Sequence, residues 1–166
     1  MRGLRTLCAV VIVGIGMAVG PLAAGGATTP PQQRGPVVVC NDLAHLIGAT
    51  ITRKTTLHDA LRFRIPARAT LRSYADVVAL AAVLCALPRT PTGPVFCPAD
   101  LGVRYTVAFS ATDRAIDPVV ISPAGCETVT GLGGIREAST SLWQVLGLAF
   151  GARNATAVTF SGGLVP

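Results

Sequence analysis

The stretch Val103-Arg-Tyr-Thr-Val-Ala-Phe-Ser110 decides the fold, because apolar and polar residues alternate along it. Alternation with a period of two is typical of a β-strand that buries one face. A turn at residues 111–114 and the apolar run Val119–Ile121 follow this stretch. Together they predict a β-hairpin in which Val103 faces Ser122.

Two cysteines lie just beyond the open end of this predicted hairpin. Cys97 falls within two positions of facing Cys126, a placement that suits a disulfide. We therefore predict the disulfide Cys97–Cys126. Of the three possible pairings of the four cysteines that follow the N-terminal segment, this one leaves the disulfide Cys40–Cys85.

Two main helices are predicted from capping patterns that precede apolar runs. Ser73-Tyr-Ala-Asp76 begins a helix that continues to Leu87, where Pro88 ends it. Ser141-Leu-Trp-Gln144 begins a second helix, which Gly151 ends. Strands and helices stand in separate blocks, so we predict an α+β fold. It is a small single domain with an antiparallel hairpin or sheet packed on two main helices, stabilised by disulfides.

Weaker signals predict three further elements. Asn41 would cap a short helix over residues 41–47. Thr56 would cap another over residues 57–63, ending before Pro66. Residues 155–160 are expected to form a final strand.

The first residues have the composition of an export signal. Arg2 and Arg5 precede the apolar run Leu7–Val19, and small residues follow up to Ala27. A retained membrane anchor is the alternative, because residues 7–24 are close to the minimum length that spans a bilayer. The predicted organisation is a signal peptide at 1–27, a flexible arm at 28–36 and a single domain at 37–166. Cleavage and secretion into an oxidising compartment would also favour the two disulfides.

Nearly all of the basic character that follows the signal lies in one segment, residues 53–72. This segment contains six basic residues and one acidic residue, Asp59, so its net charge is +5, whereas the rest of the mature chain has a net charge of −1. The six are Arg53, Lys54, Arg62, Arg64, Arg68 and Arg72. Such a patch attracts anionic polymers of the cell envelope or lipid headgroups. The alternative is that these residues are only solvated charges. Nucleic acid is not expected as a partner, since the predicted export and the few nearby aromatic residues argue against it.

The sequence has no motif for catalysis, a cofactor or a metal ion. The cysteines show no Cys-x-x-Cys spacing, and no Gly-x-Ser-x-Gly motif is present. His58 and Asp59 are neighbours in sequence, and neighbours on a helix do not face each other. We therefore expect no catalytic, cofactor-binding or metal-binding residues. An enzyme that uses His45 or His58 without a recognisable motif is an alternative.

One segment resembles a known group of proteins. Cys97-Pro-Ala-Asp100, the hairpin, Gly125-Cys126 and the Leu142-Trp143 helix together resemble small exported proteins of actinobacteria. In those proteins a helix, Cys-Pro-x-Asp, a hairpin, Gly-Cys and a tryptophan-containing helix follow in this order. The resemblance implies export and a similar fold, and it implies no known activity.

A second likeness is to the subtilisin inhibitors of streptomycetes, which are small, exported and have two disulfides. The helix at 75–87, Cys97-Pro98 and a cysteine 29 residues further on are similar to their helix and second disulfide. This likeness implies an inhibitor loop of Pro98, Ala99 and Asp100, with Ala99 presented to the protease. The chain departs from that family in two ways. Its other two cysteines lie 45 residues apart, where the family has a short-range disulfide, and the basic segment has no counterpart.

The sequence thus predicts an exported, non-enzymatic protein that acts by surface contact. The basic segment is its candidate contact surface for an anionic envelope polymer or lipid headgroups. A protease inhibitor and an enzyme with an unrecognised site are the two alternatives.

Overall fold

A computed structural model describes residues 37–57, 61–91, 93–94 and 96–164. The predicted signal peptide, the predicted arm and the pair His58 and Asp59 lie outside the described residues.

The architecture is a six-stranded antiparallel sheet with two main helices packed on one face, which confirms the predicted α+β fold. In chain order the elements are β1 (Leu46–Thr55), β2 (Leu61–Arg62), β3 (Arg68–Leu71), α1 (Tyr74–Cys85), β4 (Val103–Ala111), β5 (Val119–Ile121), β6 (Thr128–Thr130), β7 (Arg136–Glu137), α2 (Thr140–Ala149), α3 (Ala157–Ser161) and β8 (Gly163–Leu164). The large sheet has the order β3-β1-β4-β5-β6-β7, and β2 pairs with β8 in a separate two-stranded ladder.

The predicted hairpin is present as β4 and β5. Val103, Tyr105 and Val107 are fully buried, as the alternation of the stretch predicts. Tyr105 pairs with Ile121, which displaces the register by one residue from the predicted pairing. Strand β4 is also the partner of β1, so this hairpin is the centre of the sheet.

The predicted helix over residues 41–47 is wrong. Two 3-10 turns cover Val39–Asn41 and Leu43–His45, and β1 begins at Leu46. The core accounts for the difference, because Ala49 and Ile51 of β1 are buried against the helices while the strand pairs with β3 and β4. A strand in this position hydrogen-bonds on both sides, and this overrides a weak helix signal.

The predicted helix over residues 57–63 is also wrong where the structure describes it. Leu61 and Arg62 form β2, paired with β8. The final strand predicted at 155–160 is instead the short helix α3, which a capping box between Thr156 and Thr159 begins. The helical turn buries Phe160 completely.

The two main helices are confirmed. Helix α1 is capped by Ser73, whose hydroxyl accepts from the Asp76 amide, and it buries Val77, Leu80 and Leu84. Helix α2 begins at Thr140, and its cap is Ser139 rather than Ser141.

Aromatic side chains join α2 and α3 to the sheet. Tyr105 meets the Phe160 ring edge-on at 5.4 Å, and Trp143 stacks on Phe160 at 5.6 Å. The Tyr105 hydroxyl donates to the Phe160 carbonyl at 3.0 Å. Burial raises the pKa of Tyr105, so this hydroxyl keeps its proton over the physiological range.

Both predicted disulfides are confirmed. The Cα atoms of Cys40 and Cys85 lie 5.5 Å apart, and those of Cys97 and Cys126 lie 4.8 Å apart. Disulfides of this kind indicate an extracellular or otherwise oxidising compartment. Within the described part of the chain, no helix has the length and apolar character needed to cross a bilayer.

Candidate functional site

The basic segment folds back on itself, and its six basic residues do not form one patch. Arg62 and Arg64 line a single groove, which we call the Arg62–Arg64 groove. Its other walls come from the C-terminal part of the chain. They are Thr156, Val158, Thr159, Gly162 and Gly163.

Two glycines shape this groove. Gly163 pairs with Arg62 in the β2–β8 ladder and has no side chain to cover it. Gly162 has a positive φ of 77°, and a Cβ atom there would lie 2.9 Å from the Phe63 ring. Only glycine lets the chain pass so close to Phe63. The C-terminal segment therefore approaches Arg62 closely and leaves it uncovered.

Arg53 has a structural role beside this groove. Its guanidinium lies 3.7 Å from the centroid of the Phe63 ring and donates to the Ile65 carbonyl at 3.1 Å. The Arg53 amide also donates to the Ala67 carbonyl at 2.7 Å. These contacts hold residues 61–67 against the end of β1, which positions Arg62 and Arg64.

The other basic residues of the segment lie elsewhere. Arg68 pairs with Thr52, and Lys54 pairs with Arg104, so both belong to the face of the sheet that the helices do not cover. Arg72 is exposed between β3 and α1. Among the residues that the structure describes, the five apart from Arg53 form no salt bridge and no side-chain hydrogen bond. The five are Lys54, Arg62, Arg64, Arg68 and Arg72.

The predicted inhibitor residues lie on an exposed loop before β4, which we call the Cys97 loop and define as residues 96–102. Phe96 is 99% exposed, and Pro98, Ala99 and Asp100 are exposed as well. The disulfide to Cys126 fixes the start of the loop. The loop is thus both accessible and attached at its base.

Asp100 fixes the end of the Cys97 loop. Its carboxylate accepts from the Arg104 guanidinium at 3.0 and 2.5 Å and from the Gly102 amide at 2.9 Å. The hydrogen bond from Arg104 lowers the pKa of Asp100, and the Gly102 amide acts in the same direction. Gly125 lies beneath the loop, where a Cβ atom would be 3.5 Å from that of Asp100. The loop therefore has bonds at both ends and a support below.

His45 lies beside an acid that sequence reasoning did not pair with it. Its Nδ1 is 2.5 Å from Asp42 Oδ1, and Asp42 Oδ2 is 3.0 Å from Arg114 Nε. The side chain of Asp42 is only 3% exposed. An aspartate can orient a histidine base in this way, yet in the described part of the chain no hydroxyl group hydrogen-bonds to His45. The hypothesis of an enzyme that uses His45 stays a prediction.

Sequence reasoning missed several residues that shape these surfaces. The C-terminal wall of the Arg62–Arg64 groove lies about a hundred residues away in sequence, and no local pattern connects the two. One signal was available for the Cys97 loop, since Asp100-Leu-Gly102 has the composition of an Asx turn.

No group of three or more metal-binding side chains occurs among the residues described. The chain matches no protein-family model, no curated protein and no solved structure.

Proposed function

We propose that this protein is exported, has no enzymatic activity and acts by contact with an anionic surface through the Arg62–Arg64 groove. The observation that supports the proposal is that two exposed arginine side chains line the same groove, and the lining of this groove contains no acidic residue. The two disulfides and the N-terminal sequence support export.

The chemistry of the groove suits phosphate or carboxylate groups. A guanidinium donates two parallel hydrogen bonds to such an anion and remains charged at any physiological pH. Thr156 and Thr159 accept backbone amide protons in the capping box, which leaves each hydroxyl proton available to an anion. Gly163 gives access to Arg62. The groove therefore offers both charge and donors to an anionic group.

The expected partner is an anionic cell-envelope polymer or a lipid headgroup, since both present phosphate or carboxylate groups on an extended surface. We would measure sedimentation with purified cell wall and with vesicles of phosphatidylglycerol or phosphatidylcholine. Binding to cell wall alone indicates a polymer, and binding to anionic vesicles alone indicates a headgroup. Binding to phosphatidylcholine vesicles as strong as to anionic ones contradicts the proposal.

A matched pair of double variants tests whether the groove itself is responsible. Arg62→Gln with Arg64→Gln removes two charges from the groove, and Arg68→Gln with Arg72→Gln removes two charges from elsewhere in the same segment. We expect the first double variant to lose most of the binding and the second to lose much less. Equal losses would mean that only net charge matters. Binding should also weaken as salt rises, because exposed charges are screened beyond about 8 Å at physiological ionic strength.

The geometry of the Cys97 loop favours a second candidate function, a protease inhibitor. A loop that is exposed yet fixed by the Cys97–Cys126 disulfide and by the Asp100–Arg104 ion pair can enter a protease without a large loss of conformational entropy. Ala99 is small and suits a protease that accepts small or apolar side chains.

Inhibition of subtilisin in stoichiometric amounts is the test of this candidate. Changing Ala99→Lys should transfer inhibition to trypsin, because the residue presented to the protease decides which enzyme is inhibited. Rapid cleavage of the intact protein between Ala99 and Asp100, with no inhibition, would rule the candidate out.

A further inference from the structure

A surface cleft on the helical side of the molecule has a chemistry opposite to that of the Arg62–Arg64 groove. We call it the α1–α2 cleft, and it has a volume of about 150 Å³. It lies where the two main helices meet the end of β3. Its lining residues are Leu71, Asp76, Ala79, Val145, Leu148 and Ala149.

The cleft exists because small side chains stand where the elements meet. Ala79 of α1 and Ala149 of α2 fill little of the space between the helices, and β3 ends at Leu71. An apolar cavity of similar volume in another protein holds a molecule of benzene, so this cleft has room for about four to six carbon atoms. The cleft therefore has room for one aliphatic chain.

Asp76 is the one charged residue in this apolar lining. Its backbone amide bonds to the Ser73 cap, whereas its carboxylate has no hydrogen bond or ion pair with any other residue that the structure describes. A carboxylate beside an aliphatic wall suits a ligand with a hydrocarbon stem that ends in a cation.

We propose that the α1–α2 cleft binds the side chain of a lysine that a partner protein presents. The four methylene groups of lysine match the volume of the cleft, and its compact ammonium suits a single carboxylate better than a planar guanidinium does. Leu148 is 68% exposed at the rim, which gives a partner protein apolar surface beyond the cleft that a free amine would not cover. This surface is separate from the Arg62–Arg64 groove and does not depend on the proposed function.

The test is an NMR titration of the ¹⁵N-labelled protein with three short peptides, acetyl-Gly-X-Gly-amide, in which X is lysine, norleucine or glutamate. The lysine peptide should shift the amides around Ala79 and Leu148, the norleucine peptide should shift the same amides with about two- to fivefold weaker affinity, and the glutamate peptide should bind weakest. Asp76→Asn should reduce the affinity for the lysine peptide to that for the norleucine peptide. Asp113→Asn removes the same charge at a residue that does not line the cleft and should leave the affinity for the lysine peptide unchanged.

Filling the cleft is an independent arm of the test. Ala79→Leu places a larger side chain at an exposed helix position and should abolish binding of the lysine and norleucine peptides. Far-ultraviolet circular dichroism checks that this variant is folded. If it is not folded, the Asp76→Asn variant tests the proposal instead. Three outcomes overturn the proposal: no shift at the cleft with the lysine peptide, equal affinity for all three peptides, or binding of n-butylammonium as tight as that of the lysine peptide.

Discussion

Asp42→Asn is the substitution whose effect on stability follows most directly from the structure. Asp42 is nearly fully buried and lies between His45 and Arg114, which joins the N-terminal 3-10 turns to the tip of the β4–β5 hairpin. The backbone of Val37 bonds to the same hairpin tip, through Ala115 at 3.1 Å and Asp117 at 3.0 Å. The carboxylate of Asp42 is therefore the buried charge at the junction of these two segments.

The size of the destabilisation depends on which interactions His45 and Arg114 keep when Asp42 is replaced. Breaking a fully buried ion pair typically costs about 3–5 kcal/mol, because the remaining charge is left without compensation. Arg114 keeps its ion pair with Asp113 at 2.8 Å, and the side chain of His45 is half exposed and can be solvated. We therefore expect Asp42→Asn to lower the free energy of unfolding by about 2–3 kcal/mol, below the usual range.

Urea denaturation followed by Trp143 fluorescence measures this change, and Asp113→Asn is the matched control. Asp113 pairs with the same arginine, but its side chain is 49% exposed, so its loss should cost clearly less than the loss of Asp42. If Asp42→Asn destabilised the protein no more than Asp113→Asn does, the buried carboxylate would have no special role at this junction.

Two further predictions concern the Cys97 loop, and a third concerns the hydrogen bond between Trp143 and Glu127. Replacing both Cys97 and Cys126 with serine should lower the free energy of unfolding by about 2–4 kcal/mol in urea. Asp100 has a lowered pKa, so its ion pair stabilises the folded state at neutral pH, and this contribution should disappear as pH falls below about 4; Asp100→Asn should flatten that acid dependence. Trp143→Phe removes the hydrogen bond to the Glu127 carboxylate at 3.1 Å and should lower the free energy of unfolding by about 1–3 kcal/mol. Because Trp143 is the one tryptophan of the chain, far-ultraviolet circular dichroism follows the unfolding of this variant in urea, and an unchanged midpoint would show that solvent replaces the bond.

The elements that could be predicted are those whose signals are local. Along the strand at 103–110, buried residues alternate with less buried ones without interruption. Helix α1 has both a capping serine and a long apolar run. The Cys97–Cys126 pairing followed from the hairpin, even though the register was displaced by one residue. A displacement of this size moves a cysteine by only a few ångströms, so the pairing tolerates it.

The elements that were missed depend on distant partners. Strand β1 begins with Leu46 and Ile47, and its register shifts between Leu46 and Gly48, so its sequence does not alternate cleanly. Helix α3 contains β-branched residues, which favour a strand locally, yet burial of Phe160 against Tyr105 decides for a helix. The conformation of these elements depends on packing against residues that are distant in sequence, and the local sequence pattern does not reveal that packing.

The candidate surfaces show the same limit in a different way. A sum of charges along residues 53–72 locates the basic segment but does not give the direction of each side chain. Strands β1, β2 and β3 place their residues on different surfaces. Arg53 contacts Phe63 and lines a second depression with Arg62, Lys54 and Arg68 lie on the open face of the sheet, and Arg62 and Arg64 share the Arg62–Arg64 groove. The proposed contact surface is therefore smaller than the charged segment.

The two proposed functions use surfaces that separate contacts stabilise, and this makes them distinguishable by experiment. Arg53 and Phe63 hold the Arg62–Arg64 groove, whereas Arg104 and the Cys97–Cys126 disulfide hold the Cys97 loop. Substitutions that share no partners usually have additive effects. A groove variant should therefore keep any protease inhibition, and a loop variant should keep any binding to anionic surfaces. A variant that loses both activities has lost its fold, because the sheet is the structure that the two surfaces have in common.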